Sequence, residues 1–476
     1  MYGLDTNTQL KIKIVHLLDE TNLPLTSLEI QKKLGFGSQV TILNCCHEIK
    51  EQMELIYPNG EAYLIISPNL GIQLFRRSSS LQYLYDDFYS SDLFYEIIEQ
   101  LIQQRQFSTN EFCDKYGVSV SKLKRKIKEI NKLVNHYQMH ISVSAKVTIK
   151  AEEAQLRMFS YAFLYGIHRQ FSRIDWIKNK KFIWELSRKI LTYLAVSPSE
   201  QSLELLSIWL YVQLNAMEQE SRLTFTLRQT LLLKTLSIPE KPAFLSEWHQ
   251  TDWQLLIAFI QTSDIFGYEE DFQPFPPELS GWFDQLTNDW FHLFEHYFTP
   301  LDEEEKRLAV RLHRYEFISL NFFKIDENFF HQQELILAVQ NEKPTYYHQF
   351  NALFDTYTQK YNYRVPENSF RFQNQLLICL ALCPFDKLRP RLAINLQSDL
   401  NYLLTNYLKQ QVILNLKNSY FVTFVPQSKQ ADLVISTTPQ KMKLNKKQKF
   451  LLVRVPFTEQ DIKSLRLIAG SFIDIK

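Results

Sequence analysis

Glycine is scarce in this chain, ten residues among 476. Glycine-rich phosphate loops and dinucleotide-binding turns need several backbone positions without a side chain, so the shortage argues against both. Cysteine is equally sparse. Cys45, Cys46, Cys113, Cys379 and Cys383 form an odd set without paired spacings, which excludes a disulfide framework and fits a reducing compartment. Cys379 and Cys383 stand four apart in the apolar run LLICLALC, where buried thiols are favoured over a metal site. Long hydrophobic runs are missing too: LELLSIWLYVQL falls short of a membrane span. The N-terminus lacks the charged segment and apolar core of a signal peptide, so the expected location is the cytoplasm, with no membrane partner.

The chain also lacks net charge, +1 overall, yet the total conceals an uneven distribution. Residues 101–150 hold ten Lys/Arg and three acids, whereas residues 241–340 hold six and eighteen. Residues 441–476 hold nine bases and three acids. Such asymmetry suggests modules with different partners. At 45% hydrophobic and 14% aromatic, the chain can bury several cores, and its length leaves room for several domains.

A repeated unit opens the sequence. TSLEIQKKLG (26–35) and STNEFCDKYG (108–117) both start with capping hydroxyls and end in a helix-stopping glycine. Glu29, Ile30, Lys33 and Gly35 match Glu111, Phe112, Lys115 and Gly117 at a constant offset. A second amphipathic helix follows each: Ile42, Cys46, Ile49 and Met53 in the first copy, Leu123, Ile127, Ile130 and Val134 in the second. Hairpins are expected next, LIYPNGEAYLII (55–66) around an Asn-Gly turn and ISVSAKVTIK (141–150) around Ala145–Lys146. Helix-turn-helix followed by hairpin is the winged-helix plan.

The basic stretch GVSVSKLKRKIKEINKLV (117–134) lies inside the second copy and carries six Lys/Arg against one acid, Glu129. With its apolar face inward, Ser121, Lys124, Arg125 and Lys128 share the opposite face. Lys122 and Lys126 flank that face and are expected on phosphates, with Ser119 near the helix start and Lys146 in the wing as further contacts. Ammonium and guanidinium groups suit guanine edges and phosphates. A solvated Lys-rich helix would show the same composition; the preceding turn, the following wing and the local charge favour a DNA reader. In the first copy the same register presents Val40, Leu43, Asn44 and His47, with Asn44 the polar candidate for a base edge. Residues 1–60 carry five bases and seven acids, so this copy is the weaker reader.

Residues 151–390 read as long amphipathic helices. The acids of LDEEEKRLAVRL suit a helix N-terminus better than a metal site. HLFEH (292–296) matches the inverted zinc-peptidase pattern, but bulky aromatics flank it and no third ligand motif follows, so a zinc hydrolase is a distant alternative. His136 and His140 bridge a helix end and a strand and are read as structural. From Pro390, short apolar strands alternate with helices, as in a small α/β domain with a largely parallel sheet. KMKLNKKQK (441–449) is read as a solvated loop.

This order resembles the Mga-like virulence regulators of Gram-positive bacteria, of the anthrax-toxin-activator type. The second winged unit with its following E-E-x-x-x-R helix start is the most specific part. LELLSIWLYVQLNAMEQ is similar to a helix of a phosphotransferase-regulation domain (PRD), and ADLVIST with VPFTEQDIKSL to a phosphotransferase IIB-like domain. The resemblance implies a mainly α, multidomain transcription regulator, not an enzyme and without cofactor, binding double-stranded promoter DNA as a homodimer. It implies winged units over 1–80 and 81–158, PRD-like helical domains over 159–280 and 281–389, and a IIB-like domain over 390–476. No cysteine follows Cys383, so phosphotransfer by the IIB-like module is not expected. PRDs can be regulated through phosphohistidine, which makes His168, His313, His331 and His348 candidates and phosphotransferase phosphocarriers possible partners. The alternative is a phosphotransferase-system interaction protein whose DNA binding is vestigial.

Overall fold

The computed structural model describes residues 3–21, 23–77, 79–263, 266, 273–324, 332–361, 370–417, 419–439, 445 and 448–472. The described chain is mainly helical. It divides into two compact units, one drawn from Met1–Asn288, Arg307–Ile336 and Val365–Asn374, the other from Asp289–Lys306, Leu337–Arg364 and Gln375–Lys476.

The first winged unit comprises α1 (Thr6–Glu20), α2 (Ser27–Leu34), α3 (Gln39–Ile56), β1 (Ala62–Ser67) and β2 (Gly71–Arg76). A reciprocal cap starts α2: the Thr26 hydroxyl accepts from Glu29 N at 3.2 Å, and the Glu29 carboxylate accepts from Thr26 N at 2.8 Å. Gly35 ends the helix at φ 73°. The hairpin lies elsewhere than expected. Met53 still faces the core, so the helix continues through Ile56, and Asn59-Gly60 forms the helix-to-strand turn. β1 and β2 instead pair antiparallel from Ala62↔Arg76 to Ser67↔Gly71. Leu25 bridges to Ile72, and a Cβ on Gly71 would fall 2.8 Å from the Leu25 carbonyl oxygen.

Helix α4 (Gln82–Ser90) leads into the second winged unit: α5 (Leu93–Gln104), β3 (Gln106–Ser108), α6 (Thr109–Tyr116), α7 (Val120–Val134), β4 (His140–Val143) and β5 (Lys146–Lys150). Its three strands run in the order β3-β5-β4, all antiparallel. The two units are built on different cores. Leu10, Ile14, Ile42, Ile49 and Leu64 close a core that α4 completes with Leu84 and Phe88. Leu123, Ile127 and Ile130 belong to another core, continuous with Phe159, Phe163 and Trp209 of the helices that follow.

Those helices are α8 (Glu153–His168), α9 (Lys180–Tyr193), α10 (Glu200–Glu218), α11 (Leu227–Leu233) and α12 (Gln250–Gln261). Then come α13 (Pro277–Tyr297), α14 (Glu303–Phe322), α15 (Gln332–Glu342), α16 (Pro344–Lys360) and α17 (Phe370–Leu382). Asp302 accepts from Glu304 N and Glu305 N at 2.9 and 2.8 Å, so the acids of that run do initiate α14.

The C-terminal part contains β6 (Arg391–Gln397), α18 (Tyr402–Leu416), β7 (Phe421–Phe424), β8 (Leu433–Ser436), β9 (Lys449–Leu452) and α19 (Glu459–Gly470). The four strands form one parallel sheet in the order β7-β6-β8-β9. Every residue of β8 is buried, as expected of a central parallel strand covered on both faces. Most of the basic loop 441–449 lies outside the described residues.

Candidate nucleic-acid interface

The second helix-turn-helix is defined by local chemistry. The Ser108 hydroxyl accepts from Glu111 N at 3.4 Å to open α6, and Gly117 closes that helix at φ 61°. Two residues later the Ser119 hydroxyl accepts from Lys122 N at 3.2 Å and opens α7. Leu123, Ile127, Ile130 and Val134 are buried in the core, which turns the opposite face outward. Ser121, Lys122, Lys124, Arg125 and Lys128 are all exposed, and none of these cations is in an ion pair among the described residues. Asn44 on α3 is likewise exposed, as are Val40, Leu43 and His47.

The wing is held against α7 by a residue that periodicity does not mark. Asn131 donates to the Ile141 carbonyl and accepts from Ile141 N, both at 2.8 Å. Thr109 fixes the wing tip, donating through its hydroxyl to Ser144 O at 2.8 Å and through its backbone to Ala145 O at 3.0 Å. Lys146, the first residue of β5, stays exposed.

Lys126 departs from its expected place on phosphates. It is 4% exposed and donates to Gly3 O at 2.9 Å and to the Asp5 carboxylate. Asp92 lies 3.7 Å away and is fully buried, and Glu129 lies 4.0 Å away. The physical reason is its register. Lys126 stands three residues after Leu123 and four before Ile130, at the border of the buried seam, where α1 and α5 start.

Further polar residues tie this unit to the helical body. Arg157 is fully buried, 2.9 Å from Glu153, 2.6 Å from Asp252 and 3.1 Å from Ser221 O. Arg105, at the end of α5, donates to the same Glu153 at 3.0 Å. From α10, Asn215 and Gln219 donate to Ile102 O and Gln103 O at 2.6 and 2.7 Å, satisfying terminal carbonyls of α5. The E-E-x-x-x-R pattern was the one sequence signal for this network, because its partners come from distant segments.

The candidate histidines separate clearly. His168 is buried, with Nε2 2.7 Å from the Tyr95 hydroxyl and Nδ1 2.8 Å from Asp86. Both ring nitrogens thus lie beside buried neighbours. His313 is buried too, 3.8 Å from Glu316. His348 is exposed on α16, and His331 lies outside the described residues. His292 and His296 are exposed on α13, while Glu295 sits 3.9 Å from Lys306 and accepts from Leu301 N at 3.4 Å. No group of three His, Cys, Asp or Glu side chains among the described residues could hold a metal ion, so HLFEH has no third ligand there. Among the same residues no helix is long and apolar enough to cross a membrane.

A helix-turn-helix with an exposed cationic second helix and an adjoining wing defines a DNA-binding domain. Residues 77–165 match the Mga helix-turn-helix domain, and over that segment the chain is similar to Mga-like DNA-binding regulators. The match takes in α4 through most of α8, so it includes Arg105, Glu153 and Arg157 as well as the reading helix, while the partners Asp252 and Ser221 lie beyond it. No curated protein matches the chain.

Proposed function

We propose that this chain is a transcription regulator that binds promoter DNA through α7 and the β4–β5 wing. The observation that carries the reading is the exposed, unpaired set Ser121, Lys124, Arg125 and Lys128 on a helix oriented by its own core face. Lys122, Ser119 and Lys146 border that set and are assigned to phosphates, and Asn44 to a weaker contact by the first unit. The finer reading follows the same family. The helical body is a pair of PRD-like domains, the parallel-sheet domain is IIB-like, and the regulator works as a cytoplasmic homodimer linked to phosphotransferase signalling. Its output is virulence control. His348, exposed on α16, is the accessible described candidate for modification by a phosphocarrier.

The test is fluorescence anisotropy with promoter duplexes from the source cell over a range of salt concentrations. Lys124→Ala with Arg125→Ala is expected to weaken binding by roughly 30-fold or more, since each good base contact is worth about 1–3 kcal/mol. The dependence of log affinity on log salt should also flatten by about one to two units. Unchanged affinity and slope would remove α7 from the interface.

A further inference from the structure

We infer that Lys126 is a positioning residue that locks the first winged unit to the reading helix, so that both units engage one duplex at a single separation. The inference rests on α7 being a DNA contact.

The two winged units have separate cores that meet where Ile12 of α1 and Tyr85 of α4 pack against both and Leu4 joins the second, and polar joints beside these apolar contacts fix the mutual orientation. One joint is α4, which gives Leu84 and Phe88 to the first core while Asp86 holds His168 of α8. Another is built around the Lys126 ammonium. Asp5 is the N-cap residue of α1 in the first unit, and Asp92 is the N-cap residue of α5 in the second. Asp5 N donates to one Asp92 oxygen at 2.8 Å, and Phe94 N donates to the other at 2.9 Å. Lys126 joins both carboxylates and also takes the Gly3 carbonyl. A single cation thus sits where one helix of each unit begins. Cations are unfavourable at helix N-termini, and the two aspartates offset this by matching both helix dipoles.

The arrangement is unusual for a reading helix. Lys122, Lys124, Arg125 and Lys128 remain in solvent, whereas Lys126 is desolvated and hydrogen-bonded. Burying an ammonium is unfavourable unless partners compensate it, and here both aspartates come from segments more than thirty positions earlier in the chain. Holding two binding modules at one separation raises the affinity for a composite site and penalises any other spacing.

The experiment is selection from a randomised duplex library by the full-length protein. The wild type should enrich two sequence blocks at one constant spacing. Inserting about 5 base pairs, half a helical turn, between them should weaken its binding about tenfold. Lys126→Met should keep the α7 block, lose the constant spacing and tolerate the insertion within about twofold. Asp5→Asn, which leaves Lys126 and Asp92 in place, is the milder variant and should relax the spacing in the same direction. It decides the matter if Lys126→Met fails to fold, as judged by circular dichroism. No enrichment by the wild type would overturn the assignment of α7 to DNA. A single enriched block would overturn the tandem reading while leaving that assignment intact. An unchanged fixed spacing in both variants would overturn the lock.

Discussion

Val40, Leu43, Asn44 and His47 in the first winged unit occupy the positions that Ser121, Lys124, Arg125 and Lys128 occupy in the second. The helices carrying them start from equivalent serine caps, Ser38 and Ser119, after turns that differ by one residue. The scaffold is therefore repeated while the chemistry on its outer face is not. The cores differ as well: the first is a smaller cluster that touches the second only through residues such as Ile12 and Tyr85, and the second runs on into α8, α9, α10 and α12. A fold of this kind sets where a helix points, but its solvent-facing residues decide what it can read.

The largest expected effect breaks that continuity. Arg157→Ala leaves Asp252 without its buried cation and Glu153 with Arg105 alone, and should destabilise the chain by about 3–5 kcal/mol. Hydrogen exchange should show protection lost first in α5, α7, α8 and α12, with α1 and α3 retaining theirs. Equal loss in both winged units would mean that the cores are not independent.

A smaller effect tests the outer faces. Asn44→Ala with His47→Ala should reduce DNA affinity only about two- to fivefold, against 30-fold or more for the matching pair on α7. Anisotropy on one duplex measures both, and comparable losses would show the first unit to be an equal reader.

The smallest effect is a pH dependence confined to the second unit. Burial pushes the Glu99 carboxyl on α5 up to about 7; Glu96 adds to this, while Lys115 and Gln103 oppose it. A folded-state value above the ordinary one means that the neutral form stabilises the fold. The contribution is complete below about 4.5 and is lost as pH rises through about 7. The melting temperature of the second unit should accordingly drop between those values, and Glu99→Gln should flatten the curve. An identical slope in wild type and variant would assign the dependence to other groups.

Much of this comparison was legible in the residues. Capping hydroxyls, turn glycines and the apolar period are local signals, and local signals act within one or two helical turns. They placed α2, α3, α6 and α7 and separated inner from outer positions on both second helices. The first hairpin was misplaced because Asn59-Gly60 suits a hairpin turn and a helix-to-strand turn equally well. Asn131 was missed because its partner, Ile141, lies on a strand beyond the end of its own helix.

The helix-turn-helix plan, the doubled unit and the basic outer face of α7 follow from the order of residues, since each depends on neighbours a few positions apart. The fates of Lys126, Arg157 and His168 do not, because each is decided by groups brought in from far along the chain. Lys126 meets Asp5 across 121 positions, Arg157 meets Asp252 across 95, and His168 meets Tyr95 across 73. A lysine one position off a buried seam looks the same in sequence whether water or a carboxylate awaits it. The packing of α1 and α5 beside α7 supplied the carboxylates, and desolvation turned a surface charge into a joint.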